Sequence, residues 1–501
     1  MSIISQSIKA SSINYVGILL GAFFTLYLTP EFLTAEYNGL YRVLLEYAAI
    51  IASYAHFGIP LIINKYYHIV VNNKDKTDKG FDFFVFILPL IFFAFIGLLF
   101  LIFREYITKL IVSESDYHLV YQYVLFMIPI FLCNGYLLIQ KNYAAMLGNI
   151  SFVTFIQNIV FKLFNILAVV IFIFTKNFKW SMWLIVFSNI VGVFAVYLKI
   201  LSLKKGHICL VPSFDFITKN KLTRDFLLFL SFIILSNLTT FFITRIDLFF
   251  VAKYTDLSNV AFYTTASFFV LFLMVPYNSV LAISFPEIAK EYIEGNFKEL
   301  EKLIKENAMF GFILSIFCFL IIWLNIDFIY QIIPNGEIYS KGKYVFLILA
   351  IGKLIDISIG SVGQLIVTSR WYYYTLLFSI LNSIIGIVLG YYLTIKYGIL
   401  GSALAISVTT LISDIFQVTL IWVKFKILPY ENRNVLKILL ITAIVVIFSY
   451  IIESFIVNKF VTFILKVFIV SSIMFGGIYL FKINEQINKL TSHLLVKIKL
   501  K

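Results

Sequence analysis

Phe83 to Phe103 reads FFVFILPLIFFAFIGLLFLIF, 21 consecutive residues without a charged or hydrogen-bonding side chain. At 1.5 Å of rise per residue, a helix of that length covers roughly the 30 Å hydrocarbon layer of a bilayer. Hydrocarbon offers no water to a backbone N–H or C=O, so such a run crosses only as a helix that satisfies its own peptide groups. Outward from it the same pattern repeats: Ile13 to Thr29 (INYVGILLGAFFTLYLT) near the start, Phe226 to Val251 in the middle, Val461 to Phe481 near the end. About fourteen such stretches follow one another, and the fold class they predict is an all-α integral membrane protein.

Composition agrees. Of the 501 residues 61% are hydrophobic and 13% charged, against about 25% charged in a soluble domain. No polar block is long enough to fold alone. The net charge of +14 raises nucleic acid as a partner, but its distribution argues against it. With spans assigned and sides alternated, about 26 Lys and Arg fall on the side of the N-terminus, about 10 opposite and about four within spans. That bias predicts both termini in the cytoplasm. Its clusters are Lys74, Lys76 and Lys79; Lys199, Lys204, Lys205, Lys219, Lys221 and Arg224; and Lys489, Lys497, Lys499 and Lys501. The opening MSIISQSIKASS carries one Lys and runs straight into a full-length span, so it reads as a retained first helix and not a cleaved signal. Cys133, Cys209 and Cys318 are scattered and read as small buried hydrophobes.

The polar interruption 204–225 divides twelve spans into six and six. The predicted organisation is an N-terminal six-helix lobe (1–203), a cytoplasmic linker (204–225), a C-terminal six-helix lobe (226–426), two additional spans (427–481) and a basic amphipathic tail (482–501). Weak internal similarity supports the halves: Leu33-Thr34 before Gly39-Leu40-Tyr41 resembles Leu257-Ser258 before Ala261-Phe262-Tyr263, and Asn158 falls where Asn382 does. Glu287 to Asn307 reads as a short amphipathic helix with Ile288, Phe297, Leu300, Leu303 and Ile304 towards one side. Trp180, Trp183 and the Trp371-Tyr372-Tyr373-Tyr374 run suit the headgroup level. Gly17-x3-Gly21 and Gly386-x3-Gly390 suit close helix approach.

Enzyme signatures are mostly absent. The five histidines never pair at metal-ligand spacing, and no nucleophile elbow, Walker loop or dinucleotide fingerprint occurs. Neither a cofactor nor a metal is expected. What remains is ionisable groups within spans, each costly there without a partner or water. Arg42 and Glu46, at i and i+4, suit pairing on one helix face. Arg245 and Asp247, two residues apart, point to different sides of their helix, so at least one needs a partner elsewhere. Lys353 and Asp356, at i and i+3, can neutralise each other. Lys162 forms a polar stripe with Asn158 and Asn165, and Ser407, Thr410, Asp414 and Gln417 form another. The paired sites read equally well as stitching between helices; Glu453 and Lys466 in the last spans read mainly that way. Together Arg42, Lys162, Arg245 and Lys353 suggest a cationic cavity for a phosphate-bearing substrate, because guanidinium groups bind phosphate oxygens bidentately.

Asn14-Tyr15-Val16-Gly17, Leu19-Leu20-Gly21, Pro30-Glu31-Phe32-Leu33-Thr34 and the following Gly39-Leu40-Tyr41-Arg42 resemble the start of Wzx-type polysaccharide flippases, and Arg245-x-Asp247 fits as well. These belong to the multidrug/oligosaccharidyl-lipid/polysaccharide exporter superfamily. The resemblance implies two six-helix lobes around a central cavity and movement of undecaprenyl-diphosphate-linked oligosaccharides across a bacterial inner membrane. It also implies cationic cavity residues meeting the pyrophosphate, here Arg42, Arg245 and Lys353. One departure stands out: the first span carries no carboxylate, where the drug-exporting branch often has a coupling one.

The expected function is therefore flipping of polyprenyl-diphosphate-linked oligosaccharide by alternating access, for surface polysaccharide such as O-antigen or capsule. Arg42, Lys162, Arg245 and Lys353 are the candidate substrate-binding residues. Glu46, Asp247, Asp356 and Asp414 are the candidate coupling or ion-pair carboxylates, and Asn158, Asn165, Asn382 and Gln417 the candidate polar lining. Membrane lipids, a polysaccharide polymerase and a chain-length regulator are the expected partners. A cation-coupled multidrug antiporter, a peptidoglycan-precursor flippase and a membrane-embedded sugar polymerase or transferase are the competing readings; short loops without clustered catalytic groups argue against the last.

Overall fold

A computed structural model describes residues 3–71, 80–204, 212, 245–430, 432–456, 458–484 and 488, all helices, turns and connecting segments without a strand. Among these described residues ten helices are long and apolar enough to cross a membrane, or up to twelve when two bent pairs each count as one span. The expected fourteen exceeds this for identifiable reasons. Most of 226–251 lies outside the described residues, as do most of the linker 204–225 and of the tail 482–501. Tyr373–Phe425, counted once, has 53 residues; as a single straight helix it would be about 80 Å long, far more than one crossing needs. It breaks at Gly398, whose φ of 58° and ψ of −136° are not helical and lie where a side chain is disfavoured.

Local chemistry sets the other breaks. Thr34 caps Ala35–Ala55 by accepting from the Tyr37 N–H, and Asn458 caps Lys459–Leu480 by accepting from Phe460 and Val461. Phe57 and Gly58, at φ 47° and 73°, bend the second span by 45° between Ala35–Ala55 and Ile59–Tyr67. The expected separate amphipathic helix over 287–307 does not form. Its residues end one long helix, Leu257–Glu294, and begin the next, Phe297–Trp323, on either side of Gly295 at φ 73°. Ile288, Leu300 and Ile304 are buried as their spacing predicts, whereas Phe297 is exposed. The apolar pattern was right, but the turn belongs to the glycine.

The chain groups into two compact units, Met1–Arg245 with Val251–Ala261, and Ile246–Phe250 with Phe262–Lys501. In the first, Tyr66, Phe86, Leu137, Tyr143 and Val196 pack a fully buried core. Tyr143 meets Phe86 at 4.9 Å and Tyr67 at 5.5 Å, contacts each worth about 0.5–1.5 kcal/mol beyond burial. A polar knot closes this core: the Tyr143 hydroxyl donates to Asp82 at 2.6 Å, and Lys204 donates to both. In the second unit Ile288, Leu300, Ile304, Leu365 and Ile421 play the same part. Phe95, Leu98, Phe103, Trp180, Trp183 and Phe194 are among many large apolar side chains left exposed. In water such a surface would aggregate; in a bilayer it faces lipid.

Candidate functional site

In the first unit two of the predicted cations, Arg42 and Lys162, contact the opening span. Its helix, Ile3–Ala22, passes into a π-helical turn, Phe23–Leu28, before Thr29–Phe32. A π turn leaves one residue extra and re-aims the side chains around it. Thr25, buried within that turn, accepts from Arg42 Nη2 at 2.9 Å, and the guanidinium lies 5.8 Å from the rings of Phe24 and Tyr41. About two turns earlier, roughly 12 Å along the helix, the Gly17 carbonyl accepts from Lys162 Nζ at 2.5 Å. Asn158 donates to Asn14 Oδ1 at 2.6 Å from a second π turn, Ile156–Val160. Gly17 makes this approach possible, because a Cβ there would sit 2.8 Å from Asn158 Cβ. The Asn158–Lys162 stripe therefore faces the first span, and half-buried Asn165 continues it.

Glu46, one turn beyond Arg42, pairs with Arg245, Nε to Oε2 at 3.3 Å. The carboxylate expected to serve its own helix thus reaches an arginine far away in the chain. Arg245 stands just before the helix Ile246–Tyr254, exposed, with its side chain free to reach because its backbone is not helical (φ −146°, ψ 15°). The four ionisable groups of this unit's site, Arg42, Lys162, Arg245 and Glu46, sum to a formal +2.

The second unit reverses that balance. Lys353 and Asp356 form the expected i,i+3 pair at 2.7 Å, both half-buried. Asp414 is buried, with one oxygen lacking a hydrogen-bond partner among the described residues, and lies within electrostatic reach of both. Asp247 accepts from the Tyr263 hydroxyl at 2.7 Å, while Ser402 Oγ donates to its carbonyl at 2.8 Å. Lys353 against Asp247, Asp356 and Asp414 sums to a formal −2. Gln417 donates to Ser413 at 3.3 Å, and Ser407 to the Ile348 carbonyl at 3.1 Å beneath Gly352. Asn382 is buried, its Oδ1 without a partner among the described residues. A cavity of about 890 Å³ opens beside Asp414, lined otherwise mainly by apolar residues such as Ile316, Leu354, Leu411 and Leu436.

Sequence reasoning missed Thr25, the Gly17 carbonyl and Tyr263. Thr25 carried a faint signal as a hydroxyl inside an apolar span; a backbone carbonyl carries none. Among the described residues no group of His, Cys, Asp and Glu is arranged to hold a metal ion.

Known proteins supply the context for this arrangement. The family described as polysaccharide biosynthesis protein matches residues 6–292, and the family described as MatE matches 233–392. No curated protein matches the sequence. Among solved structures, the lipid II flippase MurJ in an inward closed conformation aligns with a TM-score of 0.75 at 15% identity, over 95% of this chain and 98% of that one. An inward-facing multidrug resistance MATE family transporter aligns at 0.63 and 15%, over 85% of this chain and 98% of that one. A MOP superfamily transporter from Pyrococcus furiosus aligns at 0.53 and 15%, over 85% and 95%. Identities this low establish the fold, that of MurJ and the MATE transporters. The match over 6–292 spans more than half of the 501 residues, and the chain belongs to the polysaccharide biosynthesis protein family, as a multi-pass membrane protein.

Proposed function

We propose that this protein is a flippase for an undecaprenyl-diphosphate-linked oligosaccharide in the bacterial inner membrane, working by alternating access with both termini in the cytoplasm. The observation that carries the reading is the formal +2 of the first unit's site, from Arg42 and Lys162 on helices and Arg245 just before one, against Glu46. Cations are costly in hydrocarbon and persist where an anion or water reaches them. A diphosphate is such an anion, and Arg245, exposed and touching its carboxylate partner through Nε, keeps guanidinium donors for phosphate oxygens. The apolar cavity beside Asp414 has the chemistry to accept a hydrocarbon chain. Nothing covalent is asked of the protein; it lowers the barrier to moving a polar head through lipid. In a surface polysaccharide pathway it would act beside a polymerase and a chain-length regulator.

The test is transbilayer movement of a fluorescent undecaprenyl-diphosphate disaccharide in proteoliposomes. Movement above empty vesicles is expected, competed by unlabelled substrate. Its absence, with cation-dependent dye movement in the same vesicles, would favour a second reading: a cation-coupled multidrug antiporter. That reading draws on Asp356 and the buried Asp414. Stronger transport of lipid II than of O-antigen- or capsule-type units would move the assignment to peptidoglycan precursor.

A further inference from the structure

The helices Asn432–Phe455 and Lys459–Leu480 help build a second polar pocket. They form a hairpin beside the end of Phe297–Trp323. A cavity of about 450 Å³ lies among these ends, within the usual range for small-ligand sites. Lys466 forms its floor. It is only 5% exposed and donates at 2.8 Å both to Glu453 and to the Leu324 carbonyl, an orphan acceptor at the end of its helix. An ammonium carries three donors, so one remains.

The walls add to this. Lys343 holds Asp327 through both oxygens, at 2.7 and 2.8 Å. With Glu453 held by Lys466, both carboxylates of the pocket are already neutralised. Lys459 is left over: it is exposed and donates to Gln331 Oε1 at 3.1 Å, with no carboxylate partner among the described residues. Ser449, 1% exposed and in the lining, has a hydroxyl without a hydrogen-bond partner among the described residues. A buried unpaired hydroxyl costs about 1–3 kcal/mol unless something fills the role.

Depth narrows the occupant. Lys466 lies seven residues inside its helix, about 10 Å from the hairpin tip, and Trp323 and Tyr450 line the same pocket. Those are headgroup-level signs. On the orientation that the basic residues predict, this end faces outward, where lysines are scarce; three of them against two carboxylates leave the pocket one formal positive charge, which suits an anion.

We propose that this pocket binds the phosphate of an outer-leaflet lipid, with Lys459 and the free donor of Lys466 as cationic contacts and Ser449 Oγ as a hydroxyl contact. The lipid is either a phospholipid or a polyprenyl phosphate, and the site is separate from the one used for flipping. Native mass spectrometry of the full detergent-solubilised chain reads it directly, with phosphatidylglycerol, undecaprenyl phosphate and uncharged diacylglycerol as probes. Both phosphate lipids should be retained above diacylglycerol, and the one retained more strongly identifies the source. Lys459→Gln removes an exposed cation without touching the fold and should lower retention about tenfold, the weight of one charge-assisted hydrogen bond. Ser449→Ala should lower it less. Retention unchanged in both variants, or no preference over diacylglycerol, overturns the site. Because binding is measured without transport, a failure here is distinct from a failure of the flippase reading.

Discussion

The interiors of the two units differ in sign. The groups placed above number three cations and one carboxylate in the first, and three carboxylates and one lysine in the second. The manner of pairing differs too. Lys162 rests on a neutral oxygen, the Gly17 carbonyl, and Arg42 donates to another, the Thr25 hydroxyl. Lys353 is cancelled by Asp356 a single turn away. The two units thus carry different sets of charged groups. On the proposed function, the first would hold the anion and the second would exchange a cation or proton, a division of labour that a transporter of charged lipid can use.

Removing the anion-holding charges should have the largest effect. Arg245→Ala deletes a guanidinium and strands Glu46, and we expect transport of the diphosphate-linked probe to fall about thirtyfold or more, the scale for breaking a charged pair at a site. Protein level in the membrane should not change. Lys162→Met should cost about tenfold, as one charge-assisted contact. If both variants flip at the native rate, the positive interior of the first unit is structural and the comparison loses its functional meaning.

A double-mutant cycle sharpens the other half. Lys353→Met leaves Asp356 half-buried beside Asp414, so it should lower thermal stability more than the double variant Lys353→Met/Asp356→Asn does, with a coupling of about 1–2 kcal/mol. Both should leave probe affinity near native. Strict additivity would mean that the pair is not energetically linked.

The smallest effect lies outside the spans, in the first unit. Asp116 accepts from Ser113 Oγ and from the Leu257 N–H, both at 2.9 Å. Burial nevertheless holds its carboxyl above its ordinary value of 3.8, outweighing those hydrogen bonds. A carboxyl raised on folding binds its proton more tightly in the folded state. Its contribution is therefore full below pH 3.8 and is lost as pH rises through the raised value. Asp116→Asn keeps an acceptor for both donors and removes the titration. Thermal unfolding from pH 4 to 7 should fall less in the variant, by a few tenths of a kcal/mol; an identical pH profile would show that burial there has no such consequence.

How far the residues alone carried the reading varies with range. Apolar runs declare membrane helices because hydrocarbon permits nothing else to cross. The Lys353–Asp356 pair was legible because i and i+3 meet on any helix, and Gly17 as a close-approach residue because only hydrogen fits there. The pairing of Glu46 was not. The i+4 rule offered Arg42, whereas folding brought Arg245 to it. The rule knows one helix at a time and is silent about an arginine delivered by another part of the chain.

Membrane residence, helical class and the stock of buried charges follow from composition and period, properties each segment carries by itself. Tertiary packing alone decided which oxygen each cation meets, where π turns at 23–28 and 156–160 re-aim the side chains, and that Gly398 splits one long helical run. Those outcomes depend on which backbones come within 3 Å of each other. That is a property of the assembled helices and of no single stretch among them.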